Sequence, residues 1–184
     1  MSHVILVSGG SRSGKSVLAE EKAMEYGQGS VIYLATAIPT DDDMKERIRL
    51  HQERRDKRWE TYEGYRGLDQ VLKETKKTTA LLDCITVFIT NFLFEEERDF
   101  DTISKEEIQA LQDAIIEEIT KVVKAARDYD KNLILVTNEV GMSLVPSYRL
   151  GRIFSDINGK VNEILAALSD EVYFSVCGIP LKLK

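Results

Sequence analysis

The sequence predicts an α/β fold built on a mostly parallel sheet with helices on both faces. Three observations carry that expectation. Short apolar runs rich in Val, Ile and Leu alternate with segments whose apolar residues recur at helical spacing. The first apolar run breaks into a glycine-rich loop that opens a helix. No internal repeat or low-complexity linker divides the 184 residues, so a single domain over 1–184 is expected.

Residues 4–7 read as a buried strand ending at Ser8, Gly9 and Gly10. A helix should follow over 15–26, stopped near Gly27 and Gly29. Residues 31–35 form the second apolar run, hence a second strand. Thr40 offers a capping hydroxyl and Asp41, Asp42 and Asp43 place acids in a first turn, so a charged helix is expected to about residue 55. Leu81, Leu82 and Asp83 read as the end of a third strand, with an apolar segment over 85–94 behind it. The acidic stretch 95–103 reads as a surface loop. Ser104 and Glu107 make a capping box, after which Ile108, Leu111, Ile115, Ile119, Val122 and Ala126 mark a long amphipathic helix. Residues 133–137 are a strand. Ile153, Ile157, Val161, Ile164 and Leu168 mark a helix over 148–168. A strand over 171–176 and a last β segment over 181–183 close the series, and the alternation implies right-handed crossovers.

The bulk numbers exclude several classes. Hydrophobic and charged contents of 43% and 30% are those of a globular protein. A net charge of −6 and a pI near 5.1 argue against a nucleic-acid binder with a wholly basic surface, although a local basic site remains compatible with them. Cys84 and Cys177 lie in apolar runs and are expected to be buried small hydrophobes. They form no C-x-x-C pair, so neither a structural zinc site nor a redox motif is expected. No apolar run approaches the roughly 20 residues that span a bilayer. The first residues lack a basic stretch and a cleavage site, so the expected location is the cytoplasm.

Gly9, Gly10, Ser11, Arg12, Ser13, Gly14, Lys15 and Ser16 match G-x-x-x-x-G-K-[ST] at every fixed position, and Ser8 leads into them. Glycines let successive backbone N–H groups converge on a phosphate, and the helix that starts near Lys15 turns its positive dipole end toward the same anion. Lys15 should reach the β- and γ-phosphates, and the Ser16 hydroxyl should ligate Mg²⁺. A match lying between an apolar strand and a helix start makes the fold P-loop NTPase-like. Such a loop needs a second acid for the metal, usually at a neighbouring strand end. Asp83 suits that role, with capping of the next helix as its alternative.

Residues 45–58 gather Arg47, Arg49, Arg54, Arg55, Lys57 and Arg58 around His51, unusual clustering in an acidic chain and a natural partner for a triphosphate. On a helix, Arg47, His51 and Arg55 share one face. A histidine there suits a nucleophile, a general base or a solvated surface residue. Nearby positive charge would keep its ring neutral, as attack on phosphorus requires.

Several blocks together resemble one known family: residues 5–16, Tyr33 to Ala37, Asp42 through Arg47 to His51, and Leu82-Asp83-Cys84-Ile85-Thr86. Thr90-Asn91 and Val136-Thr137-Asn138-Glu139-Val140-Gly141 complete the pattern. The chain looks like the bifunctional adenosylcobinamide kinase and adenosylcobinamide-phosphate guanylyltransferase family of cobalamin biosynthesis, over nearly its whole length. The resemblance implies phosphoryl transfer from ATP or GTP to adenosylcobinamide, then GMP transfer from GTP to adenosylcobinamide phosphate. It implies that His51 carries GMP as a covalent intermediate. It also implies that Ala35, Thr36, Gln52, Glu53, Arg54, Arg55, Glu63 and Asp83 help to bind the nucleotide, and that the protein is a homotrimer.

Two other readings compete with it. In a different P-loop small-molecule kinase, His51 and its arginines would form only a substrate lid. A nucleotide-dependent switch should carry a guanine-specificity motif such as N-K-x-D, and the sequence has none. Asn138 and Glu139 are further site candidates by their position at a strand end.

Overall fold

Residues 4–7 alternate between two cores, which is why the strands they belong to must be covered on both sides. The computed structural model describes residues 2–38, 46, 49, 53 and 56–184. Among these, the elements in chain order are β1 (Val4–Gly9), α1 (Lys15–Gly27), β2 (Val31–Ala35), β3 (Glu60–Glu63), α2 (Leu68–Glu74) and β4 (Thr79–Asp83). Then come α3 (Ile85–Leu93), α4 (Lys105–Asp128), β5 (Asn132–Asn138), α5 (Arg149–Leu168), β6 (Glu171–Val176) and β7 (Ile179–Lys182).

The strands form one sheet in the order β3-β2-β4-β5-β1-β6-β7, parallel throughout except for the β6–β7 hairpin. Val4, Leu6, Ile32, Leu34, Leu82, Leu133 and Leu135 face a core completed by α2, α3, α4 and α5. Ile5, Val7, Val31, Tyr33, Leu81, Ile134 and Val136 face the opposite core, where α1 supplies Ala19 and Ala23 and Trp59 closes the edge. The two-sided burial explains why these strands read as continuous apolar runs. Because β4 and β5 lie between β1 and β2, α1 crosses both on its way.

The α/β class, the capping box at Ser104 and the strands 31–35 and 171–176 agree with the sequence reading. The apolar segment 85–94 is a helix over most of its length. Other features correct the sequence reading. Strand β3 and helix α2 were not anticipated. Cys177 is not a buried hydrophobe: it is exposed at the β6–β7 turn, with a left-handed φ of 52°. Cys84 is partly buried, and burial pushes its thiol up to about 12. The helix expected from Thr40 lies outside the described residues except at positions 46, 49 and 53, which are helical.

Candidate nucleotide-binding site

The parallel register sets sequence-distant positions side by side at the C-terminal ends of the strands. Ala35 pairs with Glu63 on one side and Asp83 on the other, Asp83 pairs with Val136, and Val136 with Val7. Two residues further along β1, Gly9 lies between Asn138 and Ser175. This is the edge of an open α/β sheet where ligands bind.

Residues 9–16 leave β1 at this edge. Ser13 N–H donates to the Gly10 carbonyl at 3.3 Å, and Leu18 N–H donates to the Gly14 carbonyl at 3.1 Å, closing the first turn of α1. Gly14 has a φ of 93°, and a Cβ there would stand 3.1 Å from Gly178 Cα, so both backbone and space call for glycine. At Gly9 a Cβ would fall 2.5 Å from Ser13 Oγ and 2.6 Å from the Ser175 carbonyl oxygen. The N-terminus of α1 has no side-chain cap and no acid in its first turn. Its positive end is therefore left for an anion from elsewhere. Ser13 Oγ is buried with no hydrogen-bond partner, while Ser11 and Arg12 are exposed.

Lys15 Nζ donates to the Gly10 carbonyl across the loop at 3.0 Å. Burial pulls the Lys15 pKa below its ordinary value, and the neighbouring Cys84 and Asp83 act in the opposite sense. Asp83 accepts a hydrogen bond from Tyr33 OH at 2.8 Å. It stands just before Cys84, which occupies the cap position of α3 without a side-chain cap bond. Ser16 is the second residue of α1. The hydroxyl of Ser16 and the carboxylate of Asp83 are hard oxygen donors, the kind Mg²⁺ takes alongside water and phosphate oxygens. Among the described residues no three His, Cys, Asp or Glu side chains gather as a metal site. Ser16 and Asp83 stand at the same edge of the sheet, one in the first turn of α1 and the other at the end of β4, and their chemistry suits a hard cation.

At the end of β2, Thr36 is fully buried. Its hydroxyl donates to the Cys84 carbonyl and accepts from the Cys84 N–H, both at 2.9 Å, and its own carbonyl accepts from Asn91 Nδ2 at 2.8 Å. These bonds fix the turns after Ala35 and Asp83 to one another. Beside them lies a cavity of about 380 Å³ lined by Ala37, Tyr62, Glu63, Gly64, Tyr65 and Arg66, with Glu63 exposed in its wall. The Asn138 peptide is held equally firmly: its N–H donates to Thr86 Oγ1 at 2.8 Å, and its carbonyl accepts from Asn158 at 3.0 Å and Asn162 at 3.2 Å. Glu139 N–H donates to the Gly9 carbonyl at 3.1 Å.

The structure thus brings Ser8 to Ser16, Ala35, Thr36, Glu63 and Asp83 to one edge of the sheet. His51, Gln52, Arg54 and Arg55 lie outside the described residues. Glu53 is exposed and paired with Arg49, which also pairs with Glu46 at 2.6 Å. Sequence reasoning missed Tyr33, Asn91, Thr86 and Ser175. Tyr33, Thr86 and Asn91 stand in blocks that carry the family resemblance, but each of the four acts through a partner at least 50 residues away, so no local spacing gives its role.

A family model described as cobinamide kinase / cobinamide phosphate guanyltransferase matches residues 5–183. The chain belongs to that family. The family's match therefore includes the phosphate loop, the Asp83 strand end and the β6–β7 hairpin. The bifunctional adenosylcobalamin biosynthesis protein CobU of Escherichia coli K12 is 41% identical over 183 residues, covering 98% of this chain and 99% of that protein. The protein of the same name from Salmonella typhimurium LT2 is 42% identical with the same coverage. Among solved structures, the flagellar accessory protein FlaH from Methanocaldococcus jannaschii is 17% identical with a TM-score of 0.48, covering 99% of this chain and 78% of that one. As a member of the family, the chain is a bifunctional kinase and guanylyltransferase enzyme of adenosylcobalamin biosynthesis. Among the described residues no helix is long and apolar enough to cross a membrane.

Proposed function

We propose that one triphosphate site, carried by one domain over 1–184, serves two successive transfers. In the first, the hydroxyl oxygen of adenosylcobinamide attacks the γ-phosphorus of ATP or GTP, the bond to the β-phosphate oxygen breaks, and the nucleoside diphosphate leaves. In the second, a His51 ring nitrogen attacks the α-phosphorus of GTP and pyrophosphate leaves. A phosphate oxygen of adenosylcobinamide phosphate then attacks the phosphorus of guanylyl-His51, the P–N bond breaks to free the histidine ring, and adenosylcobinamide-GDP forms. Dividing the guanylyl transfer replaces one hard displacement with two easier ones.

The observation that carries this reading is the loop 9–16, with Lys15 folded across it beside Asp83 and the bare N-terminus of α1 behind it. Lys15 leaves the Gly10 carbonyl for the β- and γ-phosphate oxygens, whose negative charge opposes the lowering of its pKa by burial. Ser16 and Asp83 would hold Mg²⁺, which supplies neutralising charge at the phosphate oxygens when bound. Tyr33 keeps the Asp83 carboxylate oriented. The cavity walled by Glu63 suits the guanine base, since a carboxylate accepts from the N–H groups of its Watson–Crick edge. Ala35, Thr36 and Gln52 to Arg55 complete the nucleotide contacts. A homotrimer in the cytoplasm completes the proposal, with no nucleic acid as partner.

The test compares Lys15→Ala and His51→Ala with the wild type. Each is incubated with GTP, Mg²⁺ and adenosylcobinamide, and the products are read by mass spectrometry. Lys15→Ala should slow both transfers about 10²–10³-fold, as loss of a charge-stabilising donor does. His51→Ala should still form adenosylcobinamide phosphate and stop there. A folded His51→Ala protein that forms neither product contradicts the division of roles.

A further inference from the structure

The β6–β7 hairpin folds against the phosphate loop. The Ser13 carbonyl oxygen accepts two hydrogen bonds from it, one from Ser175 Oγ at 2.6 Å and one from Gly178 N–H at 2.9 Å. Ser175 is 2% exposed, so water does not compete for its hydroxyl. Gly178 Cα stands 3.1 Å from the place a Cβ on Gly14 would occupy.

That close approach restricts position 14 to glycine. Glycine tolerates either sign of φ, so the peptide joining Ser13 to Gly14 is poorly held by its own backbone. In a trans peptide the C=O and the N–H point in opposite directions. A Ser13 carbonyl pinned to the hairpin therefore turns the Gly14 N–H away from the hairpin.

We propose that Ser175 is a positioning residue for the triphosphate, its hydroxyl acting with the Gly178 amide to aim the Gly14 N–H at a phosphate oxygen. The role rests on residues 9–16 being the phosphate loop, as argued above. It touches no reacting atom. Its effect should appear for ligands that fill the loop and vanish for those that do not.

The experiment is calorimetric titration, with Mg²⁺, of wild type, Ser175→Ala and Lys15→Ala. The two probes are the α,β-methylene analogue of GTP, which cannot guanylylate the protein, and GMP. Ser175→Ala should weaken the analogue about tenfold, the size expected when one buried orienting hydrogen bond is lost, and change GMP affinity less than about twofold. Unchanged affinity for the analogue, or equal weakening of both ligands, overturns the positioning role. Equal affinity of wild type and Lys15→Ala for the analogue instead sinks the phosphate-loop reading beneath it. Should Ser175→Ala not fold, amide exchange in the wild type decides. Saturating analogue must slow exchange of the Gly14 amide about tenfold or more, and an amide that exchanges at the same rate with and without it overturns the proposal.

Discussion

Glu171 shows what a single side chain can hold together. Its carboxylate accepts hydrogen bonds from Tyr26 OH at 3.0 Å and from Tyr173 OH, shares one with His3 Nε2 at 2.7 Å, and pairs with Lys182 Nζ at 2.9 Å. These groups come from α1, β6, β7 and the residue before β1. The Tyr173 hydrogen bond, then the one from Lys182, hold the Glu171 pKa well below 4.5. A carboxylate depressed on folding contributes stability above its unfolded pKa and loses it as pH falls through the folded value. The wild type should therefore lose stability below about pH 4.5 more steeply than Glu171→Gln, measured by urea unfolding from pH 7 down to pH 2.5. At pH 7 the substitution should cost about 1–3 kcal/mol, because it weakens several partly buried partners at once. Equal pH profiles would contradict the assignment. Residues of this kind were poorly legible in the sequence. Gly9 to Ser16 could be read because their spacing is local, whereas Tyr33 reaches Asp83 only through the β2–β4 register. Cys177 deceived because an apolar run continues up to the turn on which it sits.

The elements divide along the same line between local and distant causes. Helix α4 announces itself: Ser104 Oγ accepts from Glu107 N–H at 3.1 Å and the Glu107 carboxylate accepts from Ser104 N–H at 3.0 Å, the reciprocal bonds of a capping box. Ser104→Ala should cost about 1 kcal/mol and lower the melting temperature by about 2–4 °C in a chain of this size. GTP affinity should be unchanged, since the cap stands on the exposed end of a helix far in sequence from the loop. A melting curve beside a nucleotide titration checks both statements. Strand β3 escaped notice because an edge strand of four mostly exposed residues has no apolar alternation to read. Helix α3 was concealed differently. Ile85, Phe88, Ile89, Phe92 and Leu93 recur at helical spacing, but the residues between them are also largely apolar and blur the period.

At the scale of the whole molecule, the order β3-β2-β4-β5-β1-β6-β7 is what makes a site from scattered parts. It places β4 and β5 between β1 and β2, so Asp83 and Asn138 arrive between the phosphate loop and the cavity walled by Glu63. The class of fold was legible, because alternating apolar runs and helical periods force a parallel sheet covered on both faces. Strand order was not, because no local residue pattern encodes which strands become neighbours. The packing of the last hairpin on the loop was hidden for the same reason: Ser175 and Ser13 are joined by topology alone. Membership of the cobinamide kinase / cobinamide phosphate guanyltransferase family joins this architecture to two reactions, and the account requires both to use one triphosphate site. The direct measurement is to incubate the protein with Mg²⁺ and GTP labelled at the α-phosphorus, then separate it under denaturing conditions. The account predicts a label that is acid-labile, stable to alkali, absent from His51→Ala and strongly reduced in Lys15→Ala. A wild-type protein that binds GTP yet stays unlabelled would contradict it.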